Sequence, residues 1–498
     1  GYHLSNIVYN SLAVVAFYIL VVMILTGLGV RGGIYAAGIS GVLYALHPMH
    51  VESVSWIAGR TDILSGLFLY IAFIFHIKSM RQGWYLVVAV VMFYMSMLSK
   101  EVGVVFVLMV VGYDVVRGGK WGRGEVGRYV LYGVVLGLYL YIWGRGYENV
   151  PAVVGGGVVS GEGGGEGVLG YVGVLGVMMR SYMYYAWKMV WPYEFNAFIS
   201  EVPGGEWLEV MGLVVVVVMV AGYWLWRRGE RVVLYGMCWM VLALGPGVLV
   251  SVMSISSTAL AERYMYIGLG GYALVCGYVF WRGIELESIR VWVLMVMVVV
   301  MGSYLAFDAQ RQLVWRNDLT FWKAASEINS TDALPHSNLG VALSNSGYKK
   351  EAILEYKLAL SPTLKDTDRG RSGTAINLGI IYMDEGSYEQ AEKWFLLAHE
   401  YDKNYGKALY HLGLINYIKA EVTGNQNSYQ IAEYYLIETL KRYRSYAKAN
   451  LLLAEIYLIL GDTDSAKNQA KIAIKRGLSG TLKQQALKIL HVDDKPGN

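Results

Sequence analysis

The sequence predicts an all-α protein in two parts, a bundle of membrane-spanning helices followed by a solenoid of stacked helical hairpins. Three observations predict it. Of 498 residues, 55% are hydrophobic and the mean hydropathy is +0.40, too apolar for a surface that meets only water. The apolar residues are concentrated before about residue 307, in runs rich in Val, Leu, Gly, Met, Tyr and Trp, and polar residues become ordinary beyond it. The polar part then repeats itself after residue 330. The resulting division is a membrane domain over 1–307, a connecting helix or half-repeat over 308–332, four repeats over 333–480, and a capping helix and tail over 481–498.

Crossing a hydrocarbon core takes roughly 20 apolar helical residues, fewer where neighbouring protein shields the ends. Candidate spans run over 7–28, 33–46, 63–77, 84–98, 102–116, 126–143, 208–226, 232–250, 264–281 and 291–307. If these alternate, the short basic clusters Lys78/Arg81, Arg117/Lys120/Arg123/Arg128, Arg227/Arg228/Arg231 and Arg282/Arg290 share one side, which the positive-inside bias makes cytoplasmic. The opposite side receives the loop 47–62, the turn 99–101, the Gly-rich loop 146–167, the segment 192–207, the loop 251–263 and the repeats. The count closes only if the run 168–191, with Arg180, Lys188 and several aromatics, enters and leaves on one face as an interfacial or re-entrant helix.

In the polar part, Ser337-Asn338-Leu339-Gly340, Ile376-Asn377-Leu378-Gly379, Tyr410-His411-Leu412-Gly413 and Leu451-Leu452-Leu453-Ala454 each open a helix. Each is followed by a turn and a second helix carrying Ala352, Ala391, Ala432 or Ala466. A small residue in each helix lets the pair approach closely, and the pattern resembles the tetratricopeptide repeat of about 34 residues. The third repeat carries an insertion at 421–427, a longer polar connection spans 362–371, and 321–329 reads as the last helix of a capping half-repeat. Such an array buries its core between neighbouring hairpins and leaves a concave face, so it is expected to bind a peptide or protein. His336, His399 and His411 recur at no metal-ligand spacing and read as surface or groove residues.

A net charge of +4 with scattered basic clusters argues against nucleic acid as a partner. The two cysteines, Cys238 and Cys276, lie in apolar runs and read as packing residues. The chain opens Gly1-Tyr2-His3 with no initiator Met, and it reads as a piece of a longer protein.

The chemistry-bearing stretch is His47-Pro48-Met49-His50-Val51-Glu52-Ser53-Val54, continued by Gly59-Arg60-Thr61-Asp62. Two imidazoles, two carboxylates and a guanidinium crowd a short loop between apolar helices, where ionisable groups are costly unless paired or hydrated. Lys100-Glu101 and Glu262-Arg263 mark two more turns on the same face, and their cations suit a lipid phosphate or pyrophosphate. Structural readings stand beside this: Pro48 ending a helix, His47 capping its carbonyls, Glu52 pairing with Arg60, Asp62 capping the next helix, and Lys100 serving as an interfacial anchor. A zinc site from His47, His50 and Glu52 lacks a helical His-Glu-x-x-His arrangement, and no metal is required.

These motifs, in this order, resemble the transmembrane and tetratricopeptide repeat-containing O-mannosyltransferase family and its bacterial relatives. The resemblance rests on Asn6, His47-Pro48-x-His50-x-Glu52-x-Val54 with Gly59-Arg60-x-Asp62, Lys100-Glu101 with Tyr113-Asp114, Ala261-Glu262-Arg263-Tyr264, Trp315 and the repeats. It implies a GT-C type fold and transfer of a hexose, mannose foremost, from a polyprenyl- or dolichyl-phosphate donor to a protein hydroxyl on the extracytoplasmic side. It places the family's catalytic acids in a first external loop expected upstream of Gly1, so no general base is named here. Donor phosphate contact falls to Lys100 or Arg263, with Arg60 in reserve. Sugar contact or loop organisation falls to His47, His50, Glu52 and Asp62, with Glu101 and Glu262 beside them. The expected partners are membrane lipid, the lipid-phosphate sugar as substrate, and an acceptor or partner polypeptide on the repeats. The compact loops favour a bacterial inner membrane over the endoplasmic reticulum. Two other classes remain: a non-catalytic, membrane-anchored repeat scaffold that recruits envelope or secretory proteins, and an oligosaccharide ligase or polymerase, which the neutral to acidic external loops disfavour.

Overall fold

The computed structural model describes residues 1–119, 122–147, 168–193, 227–253 and 258–492, with isolated residues between 199 and 225. It divides into two compact units, Gly1–Phe321 and Trp322–Asn498. Among the described residues every regular element is helical.

The first unit contains α1 (Tyr2–Gly27), α2 (Gly33–Leu46), the short α3 (Val51–Ser55), α4 (Arg60–Ser79), α5 (Tyr85–Ser99), α6 (Phe106–Arg117), α7 (Arg123–Tyr147), α8 (Val168–Val190), α9 (Arg231–Met253), α10 (Gly268–Glu285) and α11 (Arg290–Val314). Among the described residues, five segments are long and apolar enough to cross a membrane: Tyr2–Gly27, Ile57–Ser79, Gly124–Arg145, Arg231–Met253 and Arg290–Val314. One expected span comes out shorter and another comes out shifted. The run 102–116 starts as a 3₁₀ turn, Glu101–Val105, and leaves α6 only 12 residues, roughly 18 Å of helix. The run 264–281 yields its first turn to a second 3₁₀ element, Glu262–Met265, so α10 begins at Gly268. The expected span 208–226 and the loop 146–167 fall almost wholly outside the described residues. Helix α11 runs through Asp308 without a break.

Close backbone approach, which membrane helices use in place of a hydrophobic drive, is visible where α9 crosses α10. A Cβ on Gly271 would sit 2.5 Å from the Gly236 carbonyl oxygen. Around that crossing Phe17 stacks on Tyr44 with centroids 4.4 Å apart. Buried aromatics there find partners for their polar tips: Trp239 Nε1 donates to Ile267 O at 2.9 Å, and Tyr70 donates to Tyr44 at 2.9 Å. At one end the basic clusters gather, with Arg231 Nη1 donating to Arg117 O at 3.5 Å and Arg282 reaching Tyr278, which donates to Glu230. Helix α8 packs on α9, with the Ser181 and Ser251 hydroxyls 2.8 Å apart. Its Lys188 is buried at 2% exposure.

In the second unit, hairpins form from Ala333–Asn345 with Lys349–Ala359, Asp368–Asp384 with Tyr388–Tyr401, Gly406–Thr423 with Gln426–Arg442, and Ala447–Ile459 with Thr463–Lys475, followed by Gly480–Leu490. The small residues of the motif do what the pattern requires. Ala352, Ala391, Ala432 and Ala466 are fully buried, and a Cβ on Gly379 would meet the Phe395 ring at 2.5 Å. Gly347 and Gly461 turn between helices at φ of 88° and 85°, a conformation that costs glycine little. The insertion at 421–427 lengthens both helices of its hairpin and turns at Gly424. The 321–329 segment forms the helix Asp318–Ile328.

Candidate functional site

The loop 47–62 folds back as a 3₁₀ turn at Pro48–His50, α3, and a second turn at Ile57–Gly59. Gly59 makes this possible, since any Cβ there would strike the Ser53 backbone at 2.8 Å. The fold drives Glu52 inward, 4% exposed, onto the Glu262–Met265 turn. Arg263 grips its carboxylate twice, Nη1 donating to Oε1 at 2.5 Å and the backbone N donating to Oε2 at 3.0 Å. Asp62, in the first turn of α4, pairs with Lys100, which stands where α5 ends. Glu262 points the other way and pairs with Arg311 of α11, both almost fully buried.

Three of the structural roles expected from the sequence are therefore corrected. Glu52 binds Arg263, not Arg60; Arg60 instead clamps the start of α1, with Nε donating to Asn6 Oδ1 at 3.2 Å and Nη2 to Ser5 Oγ at 2.8 Å. Asp62 caps no helix, because its carboxylate is taken by Lys100. His47 Nε2 bonds Met189 O at 2.9 Å, while its Nδ1 accepts from Met49 N at 3.3 Å rather than capping α2. His50 is 4% exposed and sits between the Tyr44 and Tyr266 rings at 4.5 and 4.7 Å. The Tyr44 carbonyl approaches it without regular hydrogen-bond geometry, so neither ring nitrogen is satisfied among the described residues.

Burial disfavours charge on both imidazoles. It pulls His47 down to about 4, with Arg311 adding to the effect, and His50 down to about 3, with His47 adding to it. Both are neutral at physiological pH. For Arg263 burial also acts downward, but the Glu52 carboxylate and Tyr264 outweigh it and raise the guanidinium above its ordinary value.

Asp62, Lys100, Glu101, Pro246, Arg263 and Tyr264 line a crevice enclosing about 360 Å³ counted to its mouth. Tyr264 is its centrepiece, its ring lying between Lys100 Nζ at 5.1 Å and the Arg263 guanidinium at 5.0 Å. Arg263 also covers Trp56 at 4.9 Å. Glu52, Asp62, Lys100, Glu101 and Arg263 thus come together, with His47, His50 and Glu262 just behind them and Arg60 apart. Arg311 was missed because it lies beyond the expected end of the last span, in the polar stretch 308–312 that continues the same helix. Among the described residues no group of three or more side chains is arranged to hold a metal.

The protein O-mannosyl-transferase F38B6.6 of Caenorhabditis elegans matches 368 residues at 21% identity, covering 72% of this chain and 50% of that protein. Most of this chain is similar to protein O-mannosyl-transferases. Shorter matches include tmtc2 of Xenopus laevis, 34% identical over 122 residues (23% of this chain, 14% of that protein), and TMTC4 of Homo sapiens, 26% over 106 residues (20% and 14%). The chain therefore spans about half the length of the worm protein O-mannosyl-transferase and a smaller share of the others. A tetratricopeptide repeat model matches residues 374–405. Among solved structures, MamA aligns at 18% identity over 36% of this chain and 96% of its own, with a TM-score of 0.28.

Proposed function

We propose that this chain is part of a membrane glycosyltransferase that moves a hexose, mannose foremost, from a polyprenyl- or dolichyl-phosphate donor to a hydroxyl of a protein acceptor on the extracytoplasmic side. The observation that carries the reading is the pair of cations Lys100 and Arg263, 5.1 and 5.0 Å from the centre of the Tyr264 ring, at a crevice where apolar helices end. A lipid-bound donor cannot leave the bilayer, so its phosphate must be met at such an edge. As the glycosidic bond breaks, negative charge collects on the phosphate, and fixed cations in a half-dry site stabilise it more than water would. In this reading Asp62 and Glu52 hold the cations ready and exchange part of their pairing for the phosphate. His47 and His50, neutral and wedged, fix the loop or meet the sugar. An acceptor proton goes to a general base outside this chain's assigned residues, and the repeats present the acceptor polypeptide or bind a partner.

One observation favours a second reading. Both cations of the crevice already have carboxylate partners, as they would in a scaffold whose polar loops only maintain the fold. Transfer from polyprenyl-phosphate mannose, measured on the complete protein with Lys100→Gln and Arg263→Met, separates the two. The transferase reading expects transfer by the wild type and a loss of 100-fold or more per folded protein in either variant; wild-type rates in both variants overturn the role given to these cations, and no transfer by the wild-type protein supports the scaffold.

A further inference from the structure

A second cavity opens on the other side of the 47–56 segment. It encloses about 1010 Å³ counted to its mouth and is lined by Asn10, His50, Asp308, Gln312, Trp315 and Arg316, among others. Its chemistry differs from that of the crevice. Its lining carries one carboxylate, Asp308, and one guanidinium, Arg316, beside two side-chain amides, a hydroxyl and two imidazoles. Trp315 is half-buried, its indole edged by Phe321 with centroids 4.6 Å apart. His50 supplies the buried, unsatisfied ring nitrogens described above, at 4% exposure and on the cavity wall. A neutral imidazole carries one donor and one acceptor, the same pair that a sugar hydroxyl offers. An unpaired buried polar group is costly, and a hydroxyl ligand relieves that cost. The two cavities share a wall: Tyr266 lines the crevice, packs on His50 at 4.7 Å, and donates its hydroxyl to Asn10 Oδ1 at 2.8 Å.

We propose that this cavity is a hexopyranose-binding site in which the Trp315 indole carries the C–H face of the sugar while Asp308, Asn10, Gln312 and His50 hydrogen-bond its hydroxyls. An aromatic face, negative at its centre, suits the weakly positive C–H side of a pyranose, and the balanced charge suits a neutral ligand rather than a phosphate. The proposal rests on the glycosyltransferase reading for the choice of hexose. Two sources share this chemistry, the sugar of the lipid donor and a sugar already attached to the acceptor.

The test uses the full chain in phosphatidylcholine nanodiscs and methyl α-D-mannopyranoside as probe, followed by saturation-transfer NMR. Wild-type protein is expected to bind the probe, Asp308→Asn and Gln312→Ala each to weaken it five-fold or more, and Lys100→Gln to leave it within two-fold. Gln312 is exposed, so its truncation keeps the test valid if Asp308→Asn fails to fold. Displacement by polyprenyl-phosphate mannose supports the site and names the donor; displacement by a mannosylated peptide supports it and names the acceptor. No saturation transfer, an affinity unchanged in both variants, or equal displacement by the same peptide without its sugar overturns it. Hexose binding is read separately from transfer activity, so loss of transfer in Lys100→Gln with intact probe binding leaves this site standing, and failure of the probe leaves the phosphate reading standing.

Discussion

The Glu52–Arg263 pair joins two turns 211 positions apart in sequence, and breaking it tests whether those turns depend on one another. The Glu52 side chain is 5% exposed and that of Arg263 17%, so the pair is screened far less than a surface ion pair. Arg263→Met removes the 2.5 Å charged contact but keeps the backbone N–H at 3.0 Å, leaving Glu52 buried with half of its partners. Removing one partner of a buried pair costs about 3–5 kcal/mol, and the surviving backbone bond puts the expectation at the lower end, about 3 kcal/mol. Glu52→Gln keeps the shape and is expected to cost about 2 kcal/mol, the worth of a charge-assisted hydrogen bond. With both changed, no carboxylate remains stranded, and the double variant is expected to cost about 3 kcal/mol in total, a coupling of about 2 kcal/mol. The assay is reversible unfolding of the four proteins in one detergent. Additivity within about 0.5 kcal/mol would refute the reasoning, since that is the behaviour of independent sites.

Three other expectations follow from the same geometry. His47 and His50 are held below their ordinary value of 6.5, so below pH 6.5 the unfolded chain takes up protons that the folded one refuses. Each imidazole then removes about 1.4 kcal/mol of stability per pH unit, roughly 2 kcal/mol by pH 5, until about pH 4 for His47 and about pH 3 for His50; a denaturation midpoint whose pH slope is unchanged by His50→Gln contradicts this. Gly271→Val drives a side chain into the Gly236 carbonyl and is expected to destabilise the first unit by about 2–3 kcal/mol through overpacking, read as a lower thermal midpoint, whereas an unchanged midpoint argues against the close crossing. Arg311→Met strands Glu262 in a fully buried position and is expected to cost about 3–5 kcal/mol, recovered in large part by adding Glu262→Gln; absence of that recovery counts against the pairing.

Much of the architecture was legible because it is written in periodicity and composition. The apolar runs became helices, and Gly340, Gly379 and Gly413 with their alanine partners set the hairpins of the second unit. Element ends were less legible. Lys100-Glu101 and Glu262-Arg263 each open a 3₁₀ turn that delays the start of the next helix, and hydropathy averages over such a turn. Of the residues singled out in the sequence, Glu52, Asp62, Lys100, Glu101 and Arg263 lie together in the fold. Their pairing was not legible, because a local rule favours Arg60 for Glu52, eight positions away, whereas the fold brings Arg263 across 211 positions. Arg60 is drawn off by Asn6, a partner whose reach depends on how α1 meets α4. The placement of Tyr264 between two cations likewise follows from tertiary packing, which no single segment announces.

Lys100 and Arg263 are proposed to receive the phosphate of a lipid-linked sugar. Native mass spectrometry of the nanodisc-embedded protein with polyprenyl-phosphate mannose measures this directly. Bound donor is expected in the wild type, with a loss of ten-fold or more in affinity in Lys100→Gln and in Arg263→Met and little change in Arg60→Gln. Equal donor binding by all four proteins would contradict the claim.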